Sequence, residues 1–188
     1  MPTSKTSNKS PLTLDSKILC FDLETNHLHG TPFAIGALVI DGRGKVHATF
    51  TARCPMIGEA DEWVKANVLP AIKDIQQTHG SYEQMREAFW GWYIKAEADS
   101  DYVLVSNGYP VEYGFLLDCQ HTNLEERYWQ HPFPILDLAS MLVVAGKDAN
   151  KIKKKIRQEV SYVPHNPFDD AKITALAAFE ALKSTGAL

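Results

Sequence analysis

No apolar run in this chain approaches the ~20 residues that span a bilayer. Its first residues, MPTSKTSNKSPLTLDS, lack the apolar core of a secretory signal. The pattern describes neither a membrane-embedded nor an exported protein, and a cytoplasmic location is the expectation. Cysteine is scarce: Cys20, Cys54 and Cys119 are scattered, odd in number and form no CxxC pair. That excludes a disulfide framework and a thiolate zinc site, and leaves them as small buried or half-buried residues. Positive charge is not in excess either. The formal net charge of −4 argues against a broad surface that coats nucleic acid, because such binding rests on neutralised phosphates. An enzyme acting on nucleic acid stays open, since a site built of carboxylates is acidic until cations bind it. No internal repeat recurs at a fixed period.

What is present is the composition of an ordinary globular domain. The 188 residues, 45% hydrophobic and 22% charged, suffice for one buried core and are short for two. Residues 1–16, mostly Ser, Thr, Lys, Asn and Pro, bury nothing and read as a disordered arm. Residues 17–188 read as a single domain. It opens with three strands, KILCFDLE, PFAIGALVID and KVHATFTARC, the last two joined by a hairpin turn at Asp41–Gly44. A helix follows from Asp61 to about Ile75, bent or divided by Pro70, and a longer one from Ser81 to Ala98. DYVLVSN is a compact apolar strand, and the helix after it starts with Pro110 in its first position and ends near Gln120. PFPILDLASMLV is a short strand running into a helix, and a last helix runs from Pro167 to about Lys183, with Gly186 past its end. A strand meander followed by strands separated by helices makes an α/β domain with a mixed central sheet of about five strands flanked by helices.

The stretch ILCFDLET, Ile18–Thr25, sets Asp22 and Glu24 into the end of a strand that otherwise reads as buried. Buried carboxylates are expensive unless a cation or hydrogen-bond donors meet them, and no Lys or Arg lies in the stretch. Residues two apart in a strand share a face, so both acids project together while Phe21 and Leu23 point the other way. Two oxygen ligands on one rigid face suit Mg²⁺ or Mn²⁺. In sheets of this kind, partners gather where strand ends meet helix starts. Two such places carry acids. In SNGYPVEYGFLL, Glu112 falls at about the third helical position, facing the strand ends; an acid there is equally explained by the helix dipole. Asp118 points elsewhere and reads as solvated. In VPHNPFDDA, Asn166 caps a helix that begins at Pro167, with His165 just outside it and Asp170 just inside. Asp169 needs no explanation beyond the dipole, and a loop His is commonly a plain surface residue. The basic run KIKKKIR, Lys151–Arg157, reads as a solvated helix face or as a local contact for a phosphate backbone.

The order of these motifs resembles that of the DEDDh group of DnaQ-like 3′→5′ exonucleases, in the ribonuclease-H-like superfamily. The resemblance runs from Lys17 to about Lys183. It rests on FDLET with Asp22 and Glu24, on Asn107-Gly108 followed by an acid and by Leu116-Leu117, and on His165 with Asp170 five residues on. Each motif alone is weak, and their combination in order is more specific. The second motif departs from the family: Glu112 stands where an Asp is usual. One extra methylene sets the helix further back, which octahedral Mg²⁺ tolerates poorly, so weaker activity or a preference for Mn²⁺ follows.

The resemblance implies a ribonuclease-H-like fold and two divalent cations, Mg²⁺ or Mn²⁺, clamping the attacking and leaving oxygens of a phosphodiester. It implies that Asp22 bridges both ions, that Glu24 and Asp170 hold the one activating water, and that Glu112 supports the other. His165 would be the general base, a task suited to a pKa near neutrality. Thr25 would approach the terminal nucleotide of a single-stranded DNA or RNA 3′ end. Phe33 either stacks on a base or belongs to the core, with the core preferred; Asn107 holds a turn, and Asp137 is structural. Two other classes stay open: a nuclease-derived binding or interaction module that has lost turnover, which the Glu112 departure would favour, and a ribonuclease-H-like endonuclease, against which His165 speaks. The choice between DNA and RNA, the pathway and the oligomeric state, a homodimer included, are not legible in the sequence.

Overall fold

Apolar and β-branched residues dominate three consecutive stretches, and each forms a strand: β1 (Lys17–Thr25), β2 (Pro32–Asp41) and β3 (Val46–Arg53). They belong to a computed structural model that describes residues 12–105 and 110–188. Residues 1–11 of the arm and the Asn107-Gly108 pair lie outside the described residues. Residues 12–16 make a turn in which the Thr13 N–H donates to Ser16 Oγ at 2.9 Å, and Asp15 pairs with exposed Arg43 at 2.9 Å. The turn between β2 and β3 falls at Asp41–Gly44 as expected. Gly44 takes φ +83°, open to glycine at no steric cost, and Asp41 Oδ1 accepts the N–H groups of Arg43 and Lys45 at 3.0 Å.

β4 (Tyr102–Val105) and β5 (Ile135–Asp137) complete a sheet ordered β3-β2-β1-β4-β5. β1 is antiparallel to β2 and parallel to β4, and β5 is parallel to β4. This is the expected α/β fold with a mixed five-stranded sheet, compatible with a ribonuclease-H-like architecture. Seven helices flank it among the described residues: α1 (Glu62–Ala71), α2 (Tyr82–Ala98), α3 (Val111–His121), α4 (Leu124–Arg127), α5 (Leu138–Val144), α6 (Ala149–Glu159) and α7 (Pro167–Ser184). None is long and apolar enough to cross a membrane.

Two boundaries and one element differ from the sequence reading. α1 stops at Ala71 rather than near Ile75, one residue beyond Pro70, whose ring and missing N–H oppose continuation. Pro110 is the cap of α3 rather than its first residue; its carbonyl accepts the Gly114 N–H at 2.9 Å, which makes Glu112 the second helical residue instead of the third. α4 was not expected at all, because a single turn capped by Asn123 carries no periodicity to read.

The sheet separates two apolar layers. On one face Leu19, Phe21 and Leu23 pack with Phe89 and Tyr93 of α2 and Phe115 of α3, and the Phe21 and Phe89 rings lie 5.3 Å apart. Phe33 is 1% exposed and belongs to this layer, in agreement with its core reading. On the other face Ile18, Cys20, Leu38 and Ile40 meet Ala171, Ala175 and Ala178 of α7. Every residue of β2 is buried, as expected of a strand covered on both sides. All three cysteines are buried and free.

Alanines let α7 approach the sheet closely, and at Gly36 the approach is closest. A Cβ placed there would lie 2.1 Å from the Phe168 backbone nitrogen and 2.4 Å from the Pro167 carbonyl carbon. Neither atom can swing aside as a side-chain end can. Gly36→Ala is therefore expected to destabilise the protein by about 3 kcal/mol, the upper part of the usual range for overpacking. Chemical denaturation of both proteins measures this, and an unchanged midpoint would contradict the close contact.

Candidate metal centre

β1 aims its acids by simple alternation. Ile18 and Cys20 point to the α7 side and are fully buried; Asp22 and Glu24 continue that row past the apolar layer. Asp22 stands opposite Gly36 in the β1–β2 register, so the glycine that admits the first turn of α7 is next to the first acid. Asn166 caps that turn, its side chain accepting from the N–H of Phe168 at 3.1 Å and of Asp169 at 3.4 Å, and Pro167 follows in the first position. His165 precedes the cap with φ +62°, an uncommon conformation for a residue with a Cβ. Its backbone N–H donates to Asp170 Oδ2 at 2.9 Å. Through this local turn α7 delivers an imidazole and a carboxylate together. Donor atoms of Glu24, His165 and Asp170 all lie within 4.8 Å of one another.

The remaining acid comes from the first turn of α3. Glu112 is buried, at 7% exposure, and its charge acts on both Asp22 and Glu24. Burial is the main reason these carboxyls resist ionisation. It raises Asp22 well above the usual carboxylate range, helped by the charges of Glu112, Asp170 and Glu24. It lifts Glu24 to about 8, with Asp170 and Glu112 adding to the effect. Glu112 rises to about 7, again through burial, with a smaller contribution from Asp137. A set of acids that raise one another's pKa is held together against its own repulsion. The carboxylate oxygens form a donor set that suits Mg²⁺ or Mn²⁺, with the His165 imidazole beside them.

Of the five expected residues, Glu24, His165 and Asp170 converge, while Asp22 and Glu112 are linked to the group by the action of their charges. Thr25, the expected nucleotide contact, is half-buried directly after Glu24, and its hydroxyl donates to the His27 carbonyl at 2.8 Å, shaping the connection to β2. Asp137 has the structural task expected of it. It caps α5, with Oδ1 accepting from Ser140 N and Oγ at 2.8 and 2.7 Å. Asp118 is corrected: it is not merely solvated but accepts from the Tyr82 hydroxyl and pairs with Arg86 at 3.1 Å, because α2 packs beside α3. The basic run is corrected in part. Lys151, Lys154 and Lys155 are exposed, whereas Ile152 and Ile156 pack on α7. Arg157 lies 3.8 Å from Asp170 Oδ1, and the charge of half-buried Lys153 opposes the rise at Asp22 and Glu112.

Four contributors escaped the sequence reading. Gly36 inside an otherwise apolar strand was a legible sign of close backbone approach. Trp63, edge-on to the His165 ring at 4.9 Å, carried no local sign. It reaches the site because Asn26, just after β1, ties down the start of α1 by accepting from Asp61 N at 2.7 Å and donating to the Glu59 carbonyl at 3.0 Å. Lys153 and Tyr162 approach only through the packing of α6 on α7. No protein-family model matches this chain, and a search of curated proteins finds no match either.

The raised carboxyls have a measurable consequence. Glu24 and Glu112 bind protons more tightly folded than unfolded, so their contribution to stability is fully present below about pH 4.5, the unfolded value, and is lost as pH rises toward about 7 to 8. The melting temperature of chelator-treated protein should fall across that interval. Glu24→Gln should flatten the decline, and Mn²⁺ should restore stability most at the high-pH end. Calorimetric melts at pH 5, 6.5 and 8 check all three.

Proposed function

We propose that this protein is a divalent-metal-dependent 3′→5′ exonuclease that removes nucleoside monophosphates from single-stranded DNA or RNA ends. The observation that carries the reading is the convergence of Glu24 from β1 with His165 and Asp170 from the start of α7 inside 4.8 Å, beside Asp22 and buried Glu112. Five residues from three separate elements, in the order of the DEDDh motifs, are costly to bring together without a ligand to neutralise them.

Asp22, Glu24, Asp170 and Glu112 would hold two ions, which when bound stabilise charge on the phosphodiester oxygens and make water easier to deprotonate. His165 takes the proton from the attacking water. Its ring is suited to that task because the left-handed backbone, the Asp170 bond and the Trp63 edge contact fix where it points. On this reading the terminal nucleotide is assigned to a groove of about 500 Å³ between the β1–β2 connection at Leu28–Pro32 and the face of α3 carrying Val111, Gly114 and Phe115. Pro110, Val111 and Gly114 of its wall belong to the turn that bears Glu112. Free, buried cysteines suit a reducing compartment, and a cytoplasmic location belongs to the same proposal.

The test is digestion of end-labelled single-stranded DNA and RNA of identical sequence with Mg²⁺, Mn²⁺ or chelator. A 5′ label should show a ladder of shortening products, and a 3′ label should release mononucleotide from the start. Asp22→Asn should abolish hydrolysis with the fold intact. Internal cuts appearing first would favour an endonuclease, and no metal-dependent hydrolysis would favour a binding module.

His165 offers a sharper measurement. Replacing it with Ala should lower the single-turnover rate roughly 10²- to 10⁴-fold, while Mn²⁺ still binds the carboxylates. A variant that keeps its rate would remove His165 from the chemistry.

A further inference from the structure

A carboxylate serves octahedral Mg²⁺ well only if its rotamer is fixed, because that ion demands near-ideal geometry. Asp170 is fixed from both oxygens. Oδ2 accepts the His165 backbone N–H at 2.9 Å, and Oδ1 accepts the Tyr162 hydroxyl at 2.8 Å. Each carboxylate oxygen has two lone-pair directions, so one on each remains for a cation. The His165 donor comes with the cap of α7. The Tyr162 donor does not: it is a side chain reaching in from the connection between α6 and α7.

Tyr162 is itself held. The Arg157 guanidinium carbon lies 4.6 Å from the centroid of its ring, and Arg157 Nη2 is 3.8 Å from Asp170 Oδ1. Arg157 stands one turn after Lys153 on α6, so both face the carboxylates while the neighbouring lysines face water. Apolar packing alone would be met by a phenylalanine at residue 162. The hydroxyl has its use in the bond to Asp170.

We infer that Tyr162 is a positioning residue that sets the rotamer of Asp170 for metal binding, and that Arg157, stacked on the ring, holds Tyr162 in place. The inference rests on the metal-centre reading and adds to it a support that the motif order does not contain.

Tyr162→Phe deletes the hydroxyl and keeps the ring. By calorimetry its Mn²⁺ affinity should fall roughly tenfold or more, with the melting temperature of the metal-free protein nearly unchanged. On single-stranded DNA the turnover number should fall while KM for the strand stays the same. Arg157→Lys, which keeps the charge beside Asp170 and loses the planar group over the ring, should weaken Mn²⁺ binding in the same direction, and the double variant should lose less than the sum of the two. Additive losses would overturn the part assigned to Arg157. If the unmodified protein binds Mn²⁺ and Tyr162→Phe binds it equally well, the inference falls alone. If the unmodified protein binds none, the metal-centre reading falls and takes the inference with it.

Discussion

The centre depends on the first turn of α7 lying directly on β2 at Gly36. With only hydrogen on that Cα, the Pro167–Phe168 backbone comes closer to the strand than any side chain would allow. Asp22 is opposite Gly36 in register, and His165 and Asp170 flank Pro167 and Phe168 in sequence. One backbone contact therefore sets the distance between the acids of β1 and the groups carried by α7. The row of alanines further along α7 keeps the rest of the helix at the same depth on the sheet, so the register of the centre is anchored over the helix length rather than at one point.

Charge works against this packing. The apolar layers that close around β1 also withdraw water from Asp22, Glu24 and Glu112, and the resulting rise in their pKa is the electrostatic cost of gathering them. The fold offsets some of that cost with its own cations, Lys153 near Asp22 and Glu112, and Arg157 near Asp170. Both stand at the margin of the centre on a helix that otherwise exposes its lysines. The arrangement leaves the acids short of full neutralisation, which is the condition in which a divalent cation gains most by binding.

Glu112 owes its position to where its helix begins. Pro110 caps α3 instead of opening it, and Glu112 becomes its second residue. The longer side chain is buried, and its charge still acts on Asp22 and Glu24. The start of α3 at Val111 thus puts the acid in its first turn, within electrostatic reach of the acids of β1.

Local pattern was enough for much of this protein. The alternation in ILCFDLET put Asp22 and Glu24 on one face; Asn166-Pro167 marked the start of α7 with His165 outside and Asp170 inside; the meander and the later strands specified a mixed sheet. These are properties of neighbouring residues, set by strand and helix periods and by capping chemistry, and so they are written in short stretches. Packing decided the rest. Trp63 meets His165 because Asn26 fastens a distant helix start. Arg157 turned from an apparent surface charge into a neighbour of Asp170 because α6 lies on α7, and Tyr162 acquired a partner for its hydroxyl in the same way. Such contacts join residues far apart in the chain or through elements whose mutual orientation no local period encodes, so only the tertiary structure could settle them.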